Sequence, residues 1–307
     1  MTPYWQSRCG SVQLWHGDFR EAAPQFSKRG SYIGDPPYGR DVHRDNNRSV
    51  GNDGSNRITS LNFDHLDPPT RRALAREIAR LTDRWALVFS DSETAHFWRL
   101  SLLSARHEFD ETKHREEERR LLRLLHDDYD VDLNEVAAGV MDYNVRCEWV
   151  KLGCTPSMNA NGPAEGTEPI TVCHRKLTAE QRKAWQKHRR WNAGGKRGVY
   201  THPIERAERN AAVTTPKPVA LISELLSDFT DPGETVYDLT AGSCTLGVAV
   251  LLANQARPDL EPRRAVLVEV REAACAWSAE RLSAAERGSD AKSAKRGQTS
   301  LLDLIQK

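Results

Sequence analysis

The last third of the chain contains the pattern that most restricts its fold. Thr235–Asp238 has the composition of a buried strand, a turn of small residues follows at 240–245, and a helix-forming stretch covers 246–253. A second apolar strand, residues 265–268, ends at Glu269. Strand, helix and strand in this order form a βαβ unit, which belongs to a parallel sheet covered by helices. The pattern therefore predicts an α/β fold with a mostly parallel, twisted sheet.

The turn inside this unit indicates what it binds. Ala241, Gly242 and Ser243 would let the backbone approach a nucleotide-like ligand, and Glu269 would be placed to accept hydrogen bonds from two ribose hydroxyls. A turn that serves packing alone would look similar. The glycine-rich fingerprint of a pyrophosphate site does not occur here, which favours a cofactor with a ribose and a cationic sulfonium over a dinucleotide.

The remaining segments extend the α/β pattern. Short strands are predicted at Val12–His16, 31–34 and 85–89, and residues 70–82 have helical periodicity. Residues 146–151 and 169–173 predict an antiparallel pair at a sheet edge. Residues 107–140 interrupt the alternation with a charged, leucine-containing amphipathic stretch, which predicts a helical insertion packed on the host domain.

Length and composition favour a single catalytic domain with insertions. A chain of 307 residues can bury one large core. It lacks an apolar run near the ~20 residues of a membrane span, and its first residues do not resemble a secretory signal, so we expect a cytoplasmic protein without a membrane partner. The six cysteines are scattered without zinc-site spacing, which favours reduced structural thiols and no metal.

A tetrapeptide after the strand at 31–34 carries the clearest chemical signal. Asp35-Pro36-Pro37-Tyr38 predicts a rigid loop at the strand end, because consecutive prolines cannot donate ladder hydrogen bonds and restrict the residue before them. An exocyclic amine is a poor nucleophile because its lone pair is delocalised into the ring. The Asp35 carboxylate and the Pro36 carbonyl would accept its two hydrogens, and Tyr38 would offer a face for an extruded base. An ordinary proline turn is the alternative, which the cofactor unit makes the weaker interpretation.

A basic segment indicates the partner, although the net charge of the chain is only +1. Residues 175–209 contain eleven Lys or Arg against three Glu, interleaved with aromatic residues. This composition suits contact with a phosphate backbone, and a solvated helix face followed by a loop explains it equally well. The candidate DNA-binding residues are Arg189, Arg190, Trp191, Lys196 and Arg197.

The motifs and their order resemble the amino-group DNA methyltransferases of the permuted beta order, in which the catalytic motif precedes the cofactor motif. The resemblance covers nearly the whole chain outside 107–140. It rests on Gly17-Asp18, Asp35-Pro36-Pro37-Tyr38, Glu168-Pro169-Ile170 with His174-Arg175-Lys176, Thr215-Pro216-Lys217-Pro218, residues 238–245 and Glu269.

This resemblance implies a Rossmann-like methyltransferase fold, S-adenosylmethionine as cofactor and double-stranded DNA as substrate. It implies that Asp35, Pro36, Pro37 and Tyr38 are catalytic. Asp18 would contact the cofactor adenine, Lys217 would help to hold the methionine moiety, and Glu269 would bind the ribose. The methionine-binding turn would consist of Asp238, Thr240, Gly242, Ser243 and Thr245.

Two details of the motifs refine these expectations. The usual cofactor turn contains a proline, a phenylalanine and a second glycine that this chain lacks, and Cys244 stands in the place of that glycine. The replacements are small, so we expect the turn still to bind. Aspartate in the catalytic motif usually accompanies N6 of adenine, whereas serine is commoner for N4 of cytosine.

The sequence thus predicts an adenine-N6 DNA methyltransferase. Cytosine-N4 methylation, an RNA or nucleotide methyltransferase and a catalytically weakened DNA-binding relative remain alternatives, and a homodimer or a cognate restriction nuclease remains open. The expected division is a catalytic core at 1–106 and 141–174, a helical insertion at 107–140, a basic target-recognition segment at 175–210, a cofactor-binding part of the same core at 211–287 and a tail at 288–307.

Overall fold

The computed structural model describes residues 2–38, 66–92, 94–105, 139–154, 165–183, 191–205, 212–213 and 215–288. The strands in these ranges are β1 (Trp5–Gln6), β2 (Val12–His16), β3 (Gly30–Gly34), β4 (Thr82–Phe89), β5 (Met141–Leu152), β6 (Thr167–Arg175), β7 (Val199–Pro203), β8 (Thr235–Asp238) and β9 (Arg264–Glu269). The α-helices are α1 (Phe19–Ala22), α2 (Pro68–Leu81), α3 (Ala95–Leu103), α4 (Ala179–Lys183), α5 (Val219–Phe229), α6 (Thr245–Ala256) and α7 (Glu272–Glu286), and a 3-10 turn spans Ala23–Gln25.

The strands of the described chain form one nine-stranded sheet in the order β1-β2-β9-β8-β3-β4-β6-β5-β7. Five central neighbours, from β2 to β4, run parallel, whereas β6 is antiparallel to both β4 and β5. The predicted α/β class, the mostly parallel sheet and the antiparallel hairpin are therefore confirmed. The hairpin lies one strand in from the edge, because β7 pairs in parallel with β5 outside it.

Helices cover both faces of the sheet, as a parallel sheet requires. Successive strand residues point to opposite faces, so Ile33 joins a core with α5, α6 and α7, while the adjacent Tyr32 joins a core with α2 and α3. Strands β3 and β8 are buried at every residue. The two central strands therefore form a rigid base for whatever their ends carry.

Strand β1 and helix α3 were not predicted from the sequence, and two further elements were also missed. Strand β7 lies inside the basic segment 175–210, and helix α7 follows Glu269. Helix α7 alternates small, charged and aromatic residues without a clear apolar stripe, and β7 is a short edge strand with only Tyr200 buried. The insertion, apart from residues 139–140, and the tail beyond residue 288 lie outside the described residues.

Two further observations concern the described part of the chain. Its six cysteines are all free, in agreement with the expected reduced thiols. Within these ranges, no helix combines the length and the apolar character that a membrane span requires.

Candidate active site

The carboxyl edge of the sheet brings the two predicted motifs together. Strands β3 and β8 are parallel neighbours, with Tyr32 opposite Tyr237 in the register. Asp238 is therefore one residue beyond this pair on β8, and Asp35 is three residues beyond it on β3. In open α/β sheets such a crevice at the carboxyl ends of central strands is the usual ligand site.

Gly34 allows the chain to leave β3 in the required direction. A Cβ atom at this position would lie 2.3 Å from the Tyr32 hydroxyl oxygen, which is closer than non-bonded atoms can approach. The fully buried Tyr32 side chain thus occupies the space beside the strand end. Asp35 follows immediately, so its backbone is held by a packed core residue.

Asp35 presents two carboxylate oxygens in different situations. Its Oδ2 accepts a hydrogen bond from Nζ of Lys217 at 2.5 Å. Its Oδ1 is buried and has no hydrogen-bond partner among the residues that the structure describes. Burial raises the pKa of Asp35 more than the Lys217 ammonium lowers it, and the nearby Glu168 carboxylate adds to the increase. The site therefore contains an oriented carboxylate with one unsatisfied acceptor.

Lys217 is the central cation of this arrangement. Besides Asp35, its ammonium group binds Oε1 of Glu168 at 2.9 Å and the Tyr38 hydroxyl at 3.1 Å. It also lies 5.4 Å from the ring centroid of Tyr38 and 5.3 Å from that of Phe89. Burial would lower the pKa of Lys217, but the two carboxylates outweigh this effect and raise it, so the group stays charged.

Lys217 contacts both predicted motifs. The family resemblance implied a contact with the methionine part of the cofactor, which stays a prediction, and the structure pairs the ammonium group with Asp35. Its backbone carbonyl accepts a hydrogen bond from the Thr245 hydroxyl at 3.1 Å, so the main chain still touches the cofactor turn. Lys217 therefore links the two motifs.

Glu168 is a site residue for which the sequence indicated no role. It lies on β6 and is 4 % exposed. The Tyr38 hydroxyl donates to its Oε1, and Lys151 approaches its Oε2 at 3.1 Å. Burial would raise the pKa of Glu168, but the ammonium groups of Lys217 and Lys151 lower it overall. In the sequence, Glu168 was only one residue of a matched motif. Its neighbours in the chain do not indicate which loop of the fold its side chain faces.

The cofactor turn begins with a buried acid. Asp238 is 7 % exposed, and its Oδ1 accepts the Thr240 N–H at 3.0 Å. Burial raises the pKa of Asp238 to about 7, and the charges of Asp35 and Glu269 contribute. Gly242 follows with φ of +47°, and its N–H donates to Oε2 of Glu269 at 2.8 Å. The turn thus places backbone and carboxylates, rather than bulky side chains, at the edge of the sheet.

Two further residues of the turn are held by an arginine that the sequence did not single out. Nη1 of Arg281, on α7, donates to the Ser243 carbonyl and to the Thr245 hydroxyl, both at 2.9 Å. Its Nη2 binds Glu205 at 3.0 Å, and Glu205 also accepts the Val219 N–H that begins α5. In this structure the Thr245 hydroxyl therefore fixes the turn, and Arg281 connects the turn to α5.

Asp18 and Glu269 lie close together, as a shared ligand would require. The Gly17 N–H donates to the Glu269 carbonyl at 3.0 Å, which joins the ends of β2 and β9. Asp18 caps α1 and pairs with Arg20, while Oε1 of Glu269 accepts from the backbone and side chain of Arg271. Each acid has further acceptor capacity, and the expected adenine and ribose contacts stay predictions.

The predicted DNA-binding loop lies largely elsewhere. The Trp191 ring packs at 6.0 Å from that of Phe229, and the Asn192 amide donates to the Thr230 carbonyl at 3.0 Å. These partners are at the carboxyl end of α5, whereas Lys217 precedes its amino end. A helix of 11 residues spans about 16 Å. Trp191 therefore lies towards the amino edge of the sheet, away from Asp35.

Lys196 also has a structural role. Its ammonium group pairs with Glu224 at 2.6 Å and with Asp228 at 2.5 Å, both on α5. The structure therefore gives the side chains of Trp191 and Lys196 partners on α5. That these two residues contact DNA stays a prediction. Arg197 is exposed and stays a candidate, whereas Arg189 and Arg190 lie outside the described residues.

Comparisons with known proteins identify the family of the chain. A family model described as DNA methylase, for N6 and N4 methyltransferases, matches residues 88–280. The match includes Glu168, Lys217 and the cofactor turn and begins after Asp35. No curated protein sequence matches the chain.

One solved structure supports the fold, and a second has a similar length. The crystal structure of the M1.HpyAVI–SAM complex has 17 % identity and a TM-score of 0.51, and the alignment covers 88 % of this chain and 100 % of that one. PvuII DNA methyltransferase, which is cytosine-N4-specific, has 12 % identity and a TM-score of 0.49, with 93 % of this chain and 94 % of that one covered. At 17 % identity, the M1.HpyAVI match bears on the fold alone. The family model, which spans more than half of the sequence, decides the identity: the chain belongs to the N6/N4 amino-group DNA methylases.

Proposed function

We propose that the chain methylates N6 of adenine in double-stranded DNA, with Asp35 as the residue that binds the amine. S-adenosylmethionine is the cofactor of this family, and DNA is its substrate. Beyond this family assignment, we propose which base is methylated and which residues take part. The single observation that carries the role of Asp35 is its carboxylate, which is fixed through Oδ2 and leaves Oδ1 buried and without a partner in the described structure. Adenine is proposed over cytosine because aspartate in this motif usually accompanies N6 of adenine.

Asp35 can make the amine a better nucleophile. A buried acceptor without a partner is costly, so a donor that reaches Oδ1 is bound strongly. An adenine amine offers two such donors, one for Asp35 and one for the Pro36 carbonyl on the same proline-stiffened loop. Both hydrogen bonds draw the amine out of conjugation with the ring and direct its lone pair away from the loop.

Tyr38 supplies a surface for the flipped base. Its hydroxyl donates to Glu168 and accepts from Lys217, so the orientation of the ring is fixed before a substrate arrives. Stacking on a preoriented ring offsets part of the cost of taking a base out of the duplex. Pro37 keeps the segment between Asp35 and Tyr38 stiff.

The residues of the carboxyl edge fit the cofactor. S-adenosylmethionine carries a sulfonium and an ammonium group, and the crevice presents the carboxylates of Asp238, Glu269 and Asp18. A Cβ at Gly242 would have no neighbour nearer than 4.0 Å, so the backbone there is open to a ligand. We assign Asp238, Thr240 and Gly242 to the methionine part, Glu269 to the ribose and Asp18 to the adenine. When bound, the cofactor supplies a methyl group activated by the positive sulfur.

Asp35 also has a suitable proton affinity for the end of the reaction. The amine nitrogen forms a bond to the methyl carbon as the bond from that carbon to sulfur breaks, and the nitrogen must then lose a proton. The raised pKa of Asp35 makes its carboxylate the nearest good acceptor. The reaction therefore requires no metal ion and no covalent link to the protein.

The test is the modified nucleoside. A plasmid propagated with the protein in a methylation-free host is hydrolysed, and its nucleosides are identified by mass spectrometry. We expect N6-methyladenine with the wild type and with Asp83→Asn, an exposed aspartate at the amino edge, and none with Asp35→Ala. N4-methylcytosine would assign the other base, and methylation that survives Asp35→Ala would remove Asp35 from the reaction.

A binding measurement separates the remaining alternative. If calorimetry detects no affinity for S-adenosylmethionine and no DNA is methylated, the protein is a DNA-binding relative without activity. Modification-sensitive sequencing of the same plasmid identifies the recognition sequence.

A further inference from the structure

One buried cation is shared by two buried acids at the centre of the site. The Lys217 ammonium lies 2.5 Å from Oδ2 of Asp35 and 2.9 Å from Oε1 of Glu168. The three residues come from separate parts of the fold: the loop after β3, strand β6 and the residues before α5. Charged side chains are kept in a protein interior when they are paired with opposite charges, and here each of the three charges has such a partner.

We propose that Glu168 and Lys217 are positioning residues for methyl transfer, which orient Asp35 and Tyr38 and present opposing charges to the Asp35 carboxylate. This inference rests on the function proposed for Asp35. Neither residue needs to touch the base or the cofactor to act in this way.

The orientation follows from the hydrogen bonds. Lys217 holds Oδ2 of Asp35, so Oδ1 of the same carboxylate is the oxygen left for an incoming donor. The Tyr38 hydroxyl lies between Glu168, to which it donates, and Lys217, from which it accepts. Both ends of the catalytic tetrapeptide are thus held by the same pair.

The electrostatic effect on Asp35 comes from several elements. Lys217 stabilises the ionised carboxylate, whereas Glu168 opposes its ionisation. Lys151 on β5 pairs with the other oxygen of Glu168 and so compensates part of that charge. Other titratable groups from the packed elements also face the Asp35 carboxylate and its two partners, Glu168 of β6 and Lys217 before α5. They are Tyr32 of β3, Tyr38 of the same loop, Asp91 after β4, Lys151 of β5 and Asp238 of β8.

Two substitutions should move the ionisation of Asp35 in opposite directions. Lys217→Met removes the cation, and the loss of an opposite charge at this distance raises a carboxyl pKa by about 1 to 3 pH units. Glu168→Gln keeps the shape and an acceptor for Tyr38 but removes the negative charge, so the pKa of Asp35 should fall. A purely structural role would not give shifts of opposite sign.

The experiment measures the ionisation of Asp35 directly, without bound DNA or cofactor. Aspartate carboxyl carbons are labelled with carbon-13 in the full chain, the Asp35 signal is assigned with Asp35→Asn, and its titration is followed by NMR in wild type, Lys217→Met and Glu168→Gln. In parallel, the acid limb of the kcat–pH profile for DNA methylation is recorded. We expect the titration and the acid limb to move together, upwards for Lys217→Met and downwards for Glu168→Gln.

Lys196→Met is the matched control, because Lys196 is also shared by two carboxylates. It binds α5 towards the carboxyl end of the helix, whereas Lys217 precedes the amino end. This variant should leave the Asp35 titration unchanged. If Lys217→Met does not fold, Glu168→Gln and Lys217→Arg decide: the first should lower the pKa of Asp35, and the second should leave it near the wild-type value. An Asp35 titration that is the same in Glu168→Gln as in wild type overturns the inference.

The two proposals fail separately. A wild type that methylates no DNA refutes the proposed function, whereas the Asp35 titration still tests the charge pair. Methylation with unshifted pH profiles in both variants refutes the charge pair alone.

Discussion

Asp35 and Asp238 end neighbouring strands, yet their carboxylates are prepared for different tasks. Asp35 is paired with Lys217 through one oxygen, so its charge is largely compensated before any ligand arrives. Asp238 accepts hydrogen bonds from Thr240 but has no ion pair among the described residues. Its carboxylate is therefore the better partner for a cationic ligand, and its ionisation should control cofactor binding.

The pKa of Asp238, raised to about 7 by burial, predicts a pH-dependent cofactor affinity. Below pH 7 the protonated carboxyl offers no charge, so the affinity for S-adenosylmethionine should increase as pH rises through 7 and level off above it. Calorimetry between pH 5.5 and 8.5 measures this change. Asp238→Asn should bind more weakly and lose the dependence, and a wild-type affinity that is constant over this range would contradict the assignment.

Cys244 has a strained backbone in the cofactor turn. It is fully buried at the start of α6 with φ of +54°, in the left-handed region that costs a residue with a side chain about 1 kcal/mol relative to glycine. The usual glycine of the family turn thus reflects a backbone requirement that this chain meets with cysteine.

We expect Cys244→Gly to be more stable than Cys244→Ala by about 1 kcal/mol, because both lose the thiol and only glycine loses the strain. Urea denaturation gives the difference. Cys275, equally buried but inside α7, is the matched control, since there alanine should be the more stable by about 1 kcal/mol. The same order at both positions would show that the φ of Cys244 has no energetic consequence.

At the scale of elements, the helices act through a few side chains that reach the carboxyl edge. Helix α7 packs on the sheet, and its Arg281 extends to the cofactor turn and to Glu205 near the start of α5. The arginine is 12 % exposed, so its bonds are largely shielded from water. The turn at Ser243–Thr245, helix α7 and Glu205 near the start of α5 are thereby connected by one guanidinium.

Arg281→Met should weaken cofactor binding without touching a cofactor contact, because the Ser243–Thr245 turn loses its anchor. Hydrogen bonds to charged groups contribute about 1.5 to 3 kcal/mol, so we expect at least a tenfold increase in Kd for S-adenosylmethionine. Arg287→Met, at an exposed position after the same helix, should keep the wild-type Kd. Equal affinities for the two variants would show that the turn keeps its shape without Arg281.

The predicted strands and helices of the core were largely confirmed, since their signals are local. Val12–His16 has the predicted bounds, and the helix expected at 70–82 is Pro68–Leu81. Strand β7 was missed because its partner β5 is distant in sequence and because it is short and ends in a proline. An edge strand gains its hydrogen bonds from a neighbour, which a local pattern does not contain.

For the whole molecule, the carboxyl and amino ends of the strands hold different groups. The carboxyl edge holds Asp35 and the cofactor turn, whereas the loop from Trp191 to Lys196 is attached along α5 towards the amino edge. The basic composition of residues 175–209 therefore includes lysine that serves packing. Charge along a sequence indicates a surface only if the fold leaves that charge exposed.

Lys196→Met should lower the free energy of unfolding, by about 1 to 3 kcal/mol, since it leaves the buried Asp228 without a cation and Glu224 with His202 alone. The Kd for DNA should stay at the wild-type value. Arg197→Met gives the contrast, because this exposed residue remains a candidate phosphate contact and its loss should weaken DNA binding and reduce the salt dependence. Fluorescence anisotropy with a DNA duplex measures the Kd of both variants. A Kd that rises in Lys196→Met would restore this loop to the DNA interface.

The sequence by itself determined the fold class and singled out the tetrapeptide Asp35–Tyr38 and the small-residue turn at 240–245 as candidates, because strand and helix periodicity, proline stiffness and small-residue turns are properties of adjacent residues. Only the tertiary structure decided which charges meet. Lys217 and Asp35 are 182 residues apart, and Tyr38 and Glu168 are 130 apart. Their contacts depend on strand order and on the register of parallel neighbours, which arise when the whole core packs and leave no trace in any one segment.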